Sequence, residues 1–316
     1  MIGSHPLMHR LFQEIRTAAV LPIPVAVEGA TGTGKELVVR ALHQLSVSKG
    51  RLIAVNMAAL PESLAEAELF GSVRGAFTGA TERAGWIEQA SGGTLYLDEA
   101  GEASPFLQAK LLRVLESGVV HRIGCRRDRP VNLRLVVSTQ EPAAELVAEG
   151  RWRNDFYYRV AGALLRVPSL RQRGRDILAL TDHFLSLLNH RPTIGADLDP
   201  LLRHPWPGNV RELKRLVERA VCAAGGAPVD SHHLTRQLEN VSTRVVSNDG
   251  METQSSSVIQ REELANLLSR YNGDTAAVAM ILGLSRSGLY YRLRRLGIPT
   301  PRRSRIPAIA VAIPMN

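Results

Sequence analysis

The chain has 316 residues, and 45% of them are hydrophobic, so it can bury a sizeable core and is not a wholly disordered protein. No apolar run approaches the ~18–20 residues that cross a bilayer, and the N-terminus carries charges where a secretory signal needs an apolar stretch. Its two cysteines, Cys125 and Cys222, cannot build a disulfide framework. We therefore expect a cytoplasmic protein of two or three domains without membrane partners.

The net charge of +9, from 39 Lys and Arg against 30 Asp and Glu, is unevenly distributed. Nine arginines and three acidic residues lie between position 259 and the C-terminus, so this segment contributes about two-thirds of the excess. A basic C-terminal unit on a nearly balanced body indicates a nucleic-acid partner. The alternative is a solvated basic tail, which Arg302, Arg303 and Arg305 alone could form.

Five short apolar runs alternate with helical patterns over the first 170 residues. Each run is almost fully apolar and lies 20 or more residues from the next, as expected for buried parallel strands joined by helical crossovers. The runs cover residues 23–28, 52–56, 94–98, 133–139 and 163–167. Residues 175–240 contain no strand candidate, and their helical spacing ends at Gly225 and Gly226. The prediction is a doubly wound α/β core followed by a small all-helical subdomain.

A glycine-rich segment with the spacing G-x-x-x-x-G-K follows the first predicted strand and precedes a predicted helix over residues 37–45. It consists of Gly29, Ala30, Thr31, Gly32, Thr33, Gly34, Lys35 and Glu36. Backbone N–H groups of such a loop point into one concavity, and the lysine reaches the β- and γ-phosphates of a nucleotide. Glu36 stands where a hydroxyl ligand to Mg²⁺ is usual, so the metal must be held otherwise. A glycine-rich turn without a ligand is the alternative, but it does not account for Lys35.

A second nucleotide motif is predicted at the end of the third apolar run, where Asp98 and Glu99 follow each other. Asp98 can hold Mg²⁺ directly or through water, and Glu99 can orient and deprotonate an attacking water. A strand that ends in two acidic residues is commonly only a solvated strand end. The two acidic residues therefore indicate a nucleotide site only in combination with Lys35.

Between these two motifs, Glu68-Leu69-Phe70-Gly71 precedes a distinctive hexapeptide, which is Gly75, Ala76, Phe77, Thr78, Gly79 and Ala80. Together with the nucleotide motifs, it makes the chain resemble the sigma-54-dependent transcriptional activators, the bacterial enhancer-binding proteins of the AAA+ class. The resemblance runs over residues 2–238, with a Fis-like unit at 258–298. It implies an AAA+ P-loop ATPase with a parallel-sheet core and an all-α lid, which uses ATP and Mg²⁺. In that family, Glu is typical after the phosphate-loop lysine.

The resemblance also assigns a role to the hexapeptide 75–80. In the family it tips a loop inserted in a helix of the ATPase core, and this loop contacts the sigma factor. Glycines would make the tip mobile, and Phe77 would provide an exposed apolar contact. Composition alone favours the alternative, in which a Gly/Ala-rich turn is buried with Phe77 in the core. However, all six residues match the family's hexapeptide, and they lie between the two nucleotide motifs as in the family. This match favours the exposed loop over the buried turn.

Further residues are assigned by the resemblance alone. Asn56 matches the family's switch asparagine, which hydrogen-bonds the catalytic Glu until the nucleotide state changes. Thr139 matches the sensor of the γ-phosphate, although Gln140 follows it where the family usually has Asn. Arg211, within Trp206-Pro207-Gly208-Asn209-Val210-Arg211-Glu212-Leu213, matches the lid residue that senses bound nucleotide.

Two arginines, Arg153 and Arg159, match the pair that reaches into a neighbouring subunit's site. A guanidinium that stabilises the transferring phosphate across subunits raises the rate by orders of magnitude. The commoner use of such an arginine is a surface ion pair, here with Asp155. The resemblance implies a ring, a hexamer or a heptamer.

The C-terminal unit has the pattern of a helix-turn-helix. A helical segment, 275–282, precedes a turn at Gly283, and Ser285 is a good N-cap for a second helix over 286–296. Leu289, Leu293 and Leu296 share one face of that helix, which leaves a basic surface for the major groove. The alternative is a basic helical hairpin without DNA. Candidate DNA contacts are Thr275, Ser285, Arg286, Ser287, Tyr291, Arg292, Arg294 and Arg295. Fis-type domains bind near-palindromic double-stranded DNA as dimers.

The expected division of the chain is an ATPase core, a lid, a flexible linker, a helix-turn-helix domain and a basic, Pro-containing tail. Their boundaries are 1–170, 171–240, 241–257, 258–298 and 299–316. Because the ATPase starts almost at residue 1, we expect either that the protein has no N-terminal regulatory domain or that this chain is a fragment of a longer protein.

The expected function is ATP-driven remodelling of the sigma-54 RNA polymerase holoenzyme. One alternative is a DNA-binding regulator whose nucleotide site only sets its assembly state, which the hexapeptide argues against. Another is an AAA+ machine acting on a different target, which the helix-turn-helix argues against.

Overall fold

The computed structural model describes residues 1–47, 50–77, 79–190 and 198–239, together with positions 264, 268–271, 275, 278 and 293. Within these residues the strands are β1 (Val25–Glu28), β2 (Leu52–Asn56), β3 (Gly71–Ser72), β4 (Arg83–Ala84), β5 (Thr94–Asp98), β6 (Val119–Val120), β7 (Arg129–Pro130), β8 (Arg134–Thr139) and β9 (Ala163–Arg166).

The α-helices are α1 (Pro6–Ala19), α2 (Lys35–Leu45), α3 (Glu62–Phe70), α4 (Trp86–Gln89), α5 (Pro105–Ser117), α6 (Ala143–Ala148), α7 (Asn154–Val160), α8 (Asp176–Leu187), α9 (Asp199–Arg203) and α10 (Asn209–Ala224). Short 3-10 turns cover Met57–Ala59, Ala100–Glu102 and Arg171–Arg173. No helix of the described residues is long and apolar enough to cross a membrane.

The main sheet has the strand order β2-β5-β8-β1-β9, and its neighbouring strands are all parallel. Its five strands correspond to the five predicted apolar runs, which confirms the α/β core. The first strand begins two residues later than predicted, directly after Pro24, whose missing N–H cannot join a ladder. The last strand ends one residue earlier than predicted, at Arg166.

Both faces of this sheet are covered. Along β5, Leu95 and Leu97 belong to one apolar cluster, whereas Tyr96 between them belongs to the other. Successive side chains of a strand point to opposite faces, so the two clusters lie on opposite sides of the sheet. A strand buried on both faces has to be apolar throughout, which is the reason the sequence shows runs and not alternation.

The parallel arrangement brings the carboxyl ends of the strands to one edge. Asn56 pairs in register with Asp98, and Glu28 pairs with Thr139. The segments that follow these strands therefore lie side by side, although they are far apart in the sequence. In open parallel sheets this edge is where ligands bind.

The predicted all-helical subdomain is confirmed as the lid, in which α8, α9 and α10 surround a third apolar cluster. Trp206, 1% exposed, lies in this cluster and its indole N–H donates to the carbonyl of Leu201 at 2.8 Å. Helix α10 ends at the predicted glycine, because Gly225 adopts the left-handed conformation (φ 56°) that suits a C-cap.

A hairpin interrupts the chain between α3 and α4. Strands β3 and β4 are antiparallel, and the hexapeptide 75–80 belongs to the segment that connects them. A second hairpin, β6–β7, braces its base: the N–H of Val73 donates to the carbonyl of Ile123 at 3.1 Å, and the N–H of Ile123 donates to that of Gly71 at 2.9 Å.

The chain divides into two compact units, Met1–Leu238 and Glu239–Asn316. In the second unit, Leu264, Leu268, Val278 and Leu293 are buried among the described positions. The predicted linker 241–257 and the tail 299–316 lie outside the described residues.

Candidate nucleotide-binding site

The glycine-rich segment forms a tight loop between β1 and α2. Gly32 and Gly34 adopt positive φ angles of 72° and 103°, which glycine reaches without strain. Lys35 is the first residue of α2, is 8% exposed, and its ammonium donates to the carbonyl of Gly29 at 2.6 Å. Burial lowers the pKa of Lys35, while the nearby carboxylates of Glu99 and Asp98 act in the opposite direction. A buried ammonium beside a helix N-terminus is suited to bind phosphate.

The lid closes directly onto this loop. A Cβ atom on Gly32 would lie 2.2 Å from the carbonyl oxygen of Gly208, so only glycine fits there. Asn209 joins the two parts, because its amide donates to the carbonyl of Thr31 at 2.9 Å and its oxygen accepts from the N–H of Leu170 at 2.8 Å. The sequence analysis missed Asn209 as a structural link, although it stands in the lid motif.

The arginine predicted for the lid lies at the same junction. The guanidinium of Arg211 donates to the hydroxyl of Thr31 at 3.4 Å, and its backbone N–H donates to the carbonyl of Gly32 at 3.3 Å. Lys214, one turn further along α10, faces the same cavity, and sequence reasoning did not single it out. The lid therefore places two cationic side chains beside the cavity, in addition to Lys35 at the start of α2.

Asp98 is held at the end of β5 by two hydroxyl groups. Its Oδ1 accepts from Tyr96 at 2.7 Å and from Ser138 on the neighbouring strand. Burial raises the pKa of Tyr96 above its ordinary value, so this phenol stays a hydrogen-bond donor. The sequence analysis missed both hydroxyl groups, although Tyr96 precedes Asp98 by two residues and so shares its side of the strand.

Glu99 follows directly, with a left-handed backbone (φ 54°) that is uncommon for a residue with a side chain. Its Oε1 accepts a hydrogen bond of 2.7 Å from the amide of Gln140, which follows β8. Thr139, 3% exposed, donates its hydroxyl proton to the carbonyl of Glu141 at 2.7 Å.

The contact expected for Asn56 is not the one that the structure contains. Its Oδ1 accepts from the N–H groups of Ala58 at 2.9 Å and Ala59 at 3.3 Å, and so caps the 3-10 turn after β2. The first N–H groups of such a turn lack partners within it, which explains why the amide is used there. The amide that contacts Glu99 is that of Gln140 instead.

The phosphate loop, the end of β5 and the lid surround one cavity of about 420 Å³, a volume typical of small-molecule sites. Loop, strand end and lid all contribute, through Thr31, Gly32, Thr33, Gly34, Lys35, Glu36, Leu37, Tyr96, Asp98, Glu99, Phe184, Val210, Arg211 and Lys214. Glu36 lies at its rim, where it pairs with Arg40 at 2.7 Å and stays exposed. Thr139 and Gln140 belong to a smaller neighbouring cavity.

Arg153 and Arg159 do not line this cavity. Arg153 precedes α7, and its guanidinium donates two hydrogen bonds to the carboxylate of Asp155, at 3.0 and 2.7 Å. This is the surface ion pair expected as the commoner use of such an arginine. Arg159 donates to the carbonyl of Leu115. Both arginines lie on the exposed surface, with Tyr158 78% exposed between them.

The hexapeptide 75–80 projects from the core. Gly75 and Gly79 both have φ of 81°, and a Cβ atom on either would have no neighbour within 4 Å. Phe77 is 46% exposed, so the alternative that it packs in the core is wrong. Thr78 lies outside the described residues.

Comparison with known proteins assigns the family. A model of the sigma-54 interaction domain matches residues 1–166, one of the AAA+ ATPase lid domain matches 171–251, and one of the Fis family of bacterial regulatory proteins matches 257–296. The chain belongs to the sigma-54-dependent transcriptional activators. Its first segment is an AAA+ P-loop ATPase domain and its last a Fis-type DNA-binding domain.

Two relatives illustrate the relationship. The transcriptional regulatory protein ZraR of Salmonella typhimurium is 40% identical over 303 residues, which cover 93% of this chain and 68% of ZraR. The nitrogen fixation protein AnfA of Azotobacter vinelandii is 37% identical over 306 residues, which cover 94% of this chain and 57% of AnfA.

Solved structures share the fold. The crystal structure of NtrX from Brucella abortus in complex with ATP matches 94% of this chain and 69% of its own, with a TM-score of 0.68 and 30% identity. NtrX in complex with ADP matches with a TM-score of 0.70 and 29% identity.

The candidate DNA contacts fall mostly outside the described residues. Of that set the structure describes Thr275, which is helical, whereas Ser285, Arg286, Ser287, Tyr291, Arg292, Arg294 and Arg295 are not described. Leu293, predicted on the buried face of the second helix, is 0% exposed. Among the described residues, no cluster of three or more His, Cys, Asp or Glu could hold a metal ion.

Proposed function

We propose that this activator binds enhancer-like DNA and uses ATP hydrolysis in an oligomeric ring to remodel the sigma-54 RNA polymerase holoenzyme for open-complex formation. It acts in the cytoplasm, where its DNA and polymerase are. The observation that carries the proposal is a separation of two surfaces within the ATPase unit. Lys35, Glu99 and Arg211 line one cavity, while Phe77 projects from a hairpin elsewhere.

Hydrolysis follows from the chemistry of the cavity. The ammonium of Lys35 and the N–H groups of the phosphate loop bind the β- and γ-phosphates. Glu99 accepts a proton from the water whose oxygen attacks the γ-phosphorus. The bond from the γ-phosphorus to the bridging oxygen breaks, and ADP leaves with the electron pair. Arg211 reports the nucleotide state to the lid, and Thr139 and Asn56 report it to the core.

The donor set fits Mg²⁺. The ion typically uses one or two carboxylates together with substrate phosphates and water, and Asp98 supplies one carboxylate whose Oδ1 is already oriented by two hydroxyl groups. Asp98 would hold the ion, which neutralises the charge of the transferring phosphate when bound. The absence of a hydroxyl at Glu36 is compatible with this arrangement, because phosphates and water can complete the shell.

Arg153 and Arg159 complete a neighbour's site in a hexamer or a heptamer. Arg153 directly before α7 and Arg159 within it are both exposed and lie away from the cavity of their own chain, as a contribution to another subunit requires. Arg153 would exchange Asp155 for a phosphate, which a guanidinium can bind with the same planar geometry.

The hexapeptide 75–80 contacts the sigma factor, and the helix-turn-helix binds near-palindromic sites. The ATPase core, lid, linker, helix-turn-helix domain and tail span residues 1–170, 171–240, 241–257, 258–298 and 299–316. An assembly-only role for the nucleotide leaves the general base Glu99 and the projecting Phe77 without a purpose. A different AAA+ target leaves the Fis-type domain without one.

A three-way assay on the full chain tests this function. Phosphate release, operator binding at two salt concentrations and open-complex formation are measured for Glu99→Gln, Thr78→Ala and the double variant Arg292→Ala/Arg294→Ala. Glu99→Gln should bind ATP but lose at least about 100-fold in hydrolysis, because its water-activating carboxylate is gone. Glu145→Gln, an exposed acid of α6 away from the cavity, serves as the matched control.

The other two variants should separate the outputs. Thr78→Ala should keep most of the hydrolysis and all of the DNA binding, yet fail to form open complexes. The double arginine variant should bind its operator more weakly and with a shallower salt dependence, while its ATPase activity is kept. Full activation by Thr78→Ala contradicts the sigma-contact assignment, and unchanged operator binding by the arginine variant contradicts the recognition helix.

A further inference from the structure

Two hydroxyl groups reach the carboxylate of Asp98 from two different strands. Tyr96 precedes Asp98 by two residues on β5, so both side chains lie on one face of the sheet. Strand β8 is the parallel neighbour of β5 and is paired with it in register up to Leu97 and Val137. The next residue of β8, Ser138, therefore lies beside Asp98, although the two are 40 positions apart in the chain.

Both hydroxyl protons go to the same carboxylate oxygen. The phenol of Tyr96 donates to Oδ1 of Asp98 at 2.7 Å, and the hydroxyl of Ser138 donates to the same atom. The two hydroxyl oxygens also lie 3.1 Å apart. Each hydroxyl has a single proton, however, and a bond to a charged carboxylate is stronger than one between neutral groups. Because a carboxylate oxygen has two lone pairs, these two donors saturate Oδ1.

The other oxygen of Asp98 is left for a ligand. Tyr96 is 3% exposed and Ser138 is 0% exposed, so water competes little for their bonds to Oδ1. Asp98 lines the nucleotide cavity, and no residue in the part of the chain that the structure describes donates a hydrogen bond to its Oδ2. Asp98 thus offers one free carboxylate oxygen to a cation in the cavity.

One free oxygen suits some divalent cations better than others. Mg²⁺ is small, demands near-octahedral geometry and is usually bound through a few carboxylate oxygens, phosphates and water. Ca²⁺ is larger, takes more oxygen ligands in a flexible geometry and accepts a carboxylate through one oxygen or through both. A carboxylate whose second oxygen is saturated by hydroxyl groups withholds the additional ligand that the larger cation would use.

We propose that Tyr96 and Ser138 determine the metal preference of the site: by holding Oδ1 of Asp98 they leave only Oδ2 for the cation and so favour Mg²⁺ over Ca²⁺. The proposal rests on the proposed function, in which Asp98 holds the ion. Both hydroxyl groups act through Asp98, so Tyr96 and Ser138 are positioning residues. Loss of a group that orients a metal ligand typically changes metal affinity by about 10–100-fold.

The test is the binding of Mg²⁺ and of Ca²⁺ to the full chain saturated with a fluorescent, non-hydrolysable ATP analogue, which needs no hydrolysis. The quantity measured is the ratio of the two dissociation constants, Kd for Ca²⁺ over Kd for Mg²⁺. Tyr96→Phe and Ser138→Ala each remove one donor and little else. We expect each to lower the ratio about tenfold, because Oδ1 becomes available to the larger cation, while binding of the analogue in EDTA stays within about twofold.

The matched control is Tyr271→Phe, which removes the hydroxyl of an exposed tyrosine in the second unit and should leave the ratio unchanged. An unchanged ratio in both Tyr96→Phe and Ser138→Ala would overturn the proposal. Equal losses of affinity for the two metals would overturn it as well, because a merely structural role predicts that result. Parental Mg²⁺ affinity in Asp98→Asn would instead remove Asp98 as the holder of the ion, and with it the proposed metal site.

Discussion

The two glycine-rich loops of the ATPase unit use glycine for different reasons. In the phosphate loop, a Cβ atom on Gly32 would lie 2.2 Å from the carbonyl oxygen of Gly208 in the lid. In the hexapeptide 75–80, a Cβ atom on Gly75 or Gly79 would meet nothing within 4 Å. The first loop needs the absence of a side chain, whereas the second needs only the positive φ angle that glycine accepts.

The side chains beside the two loops show the same contrast. Lys35 is 8% exposed and bonded to a loop carbonyl, whereas Phe77 is 46% exposed. Glycine content is therefore a poor guide to what a loop does. Packing around the glycine distinguishes a loop that is fixed between core and lid from a loop whose tip is exposed.

The largest expected effect is that of a methyl group at Gly32. Gly32→Ala should weaken ATP binding by more than tenfold and lower Tm by several degrees, because the new methyl group collides with backbone and the φ of 72° is strained for alanine. Gly79→Ala should leave ATP binding unchanged and lower Tm only slightly, since it carries the strain without the collision. Titration with a fluorescent nucleotide and thermal melting measure both. Equal losses in the two variants would break the distinction between the loops.

A smaller effect on stability is expected when one side chain at each loop is removed: Asn209, which bonds the phosphate loop, and Phe77, which belongs to the hexapeptide. Asn209→Ala should lower the free energy of unfolding by about 1–3 kcal/mol, because it leaves the buried N–H of Leu170 without a partner and also removes the part-buried bond to the carbonyl of Thr31. Phe77→Ala should change it by less than about 0.5 kcal/mol, since an exposed ring adds little. Denaturant titration of both variants provides the comparison. A loss of more than 1 kcal/mol in Phe77→Ala would show that the ring is packed after all.

Much of the core was predictable because its signals are local. A strand buried on both faces appears as an apolar run, and a phosphate loop appears as a fixed spacing before a helix. The boundary at Val25 follows from Pro24, a rule that the apolar run alone does not contain.

The contacts of the site were less predictable because they depend on topology. Ser138 reaches Asp98 and Gln140 reaches Glu99 only because β8 lies beside β5, and no sequence spacing encodes that pairing. The contact that the structure shows for Asn56 was unpredictable for the opposite reason, and its role at Glu99 stays a prediction. A local demand, the uncapped N–H groups of the following 3-10 turn, takes up its oxygen.

The smallest expected effect tests whether the lid supports the phosphate loop but not the hexapeptide. His204 lies in the lid, where its Nδ1 accepts from the N–H of Trp206 at 3.2 Å and its Nε2 lies 3.9 Å from Glu212. Burial lowers the pKa of His204, with Glu212 opposing the shift, so the folded lid favours the neutral ring. A protonated Nδ1 could no longer accept the bond from Trp206.

The sign of the pH dependence follows from that direction. Because the folded state binds the proton of His204 less tightly than the unfolded state, stability begins to be lost as the pH falls below about 6.5, the ordinary pKa of histidine, and the loss continues down to the lower pKa of the folded state. Between pH 7.5 and 5.5, Tm should fall a degree or two further for the parent than for His204→Tyr, which keeps an aromatic ring that does not titrate there. ATP affinity should weaken over the same range in the parent, because Asn209 and Arg211 carry the lid's contacts with the phosphate loop. Identical pH profiles for the two proteins would mean that other groups govern the acid response, and that the lid's hold on the phosphate loop does not depend on His204.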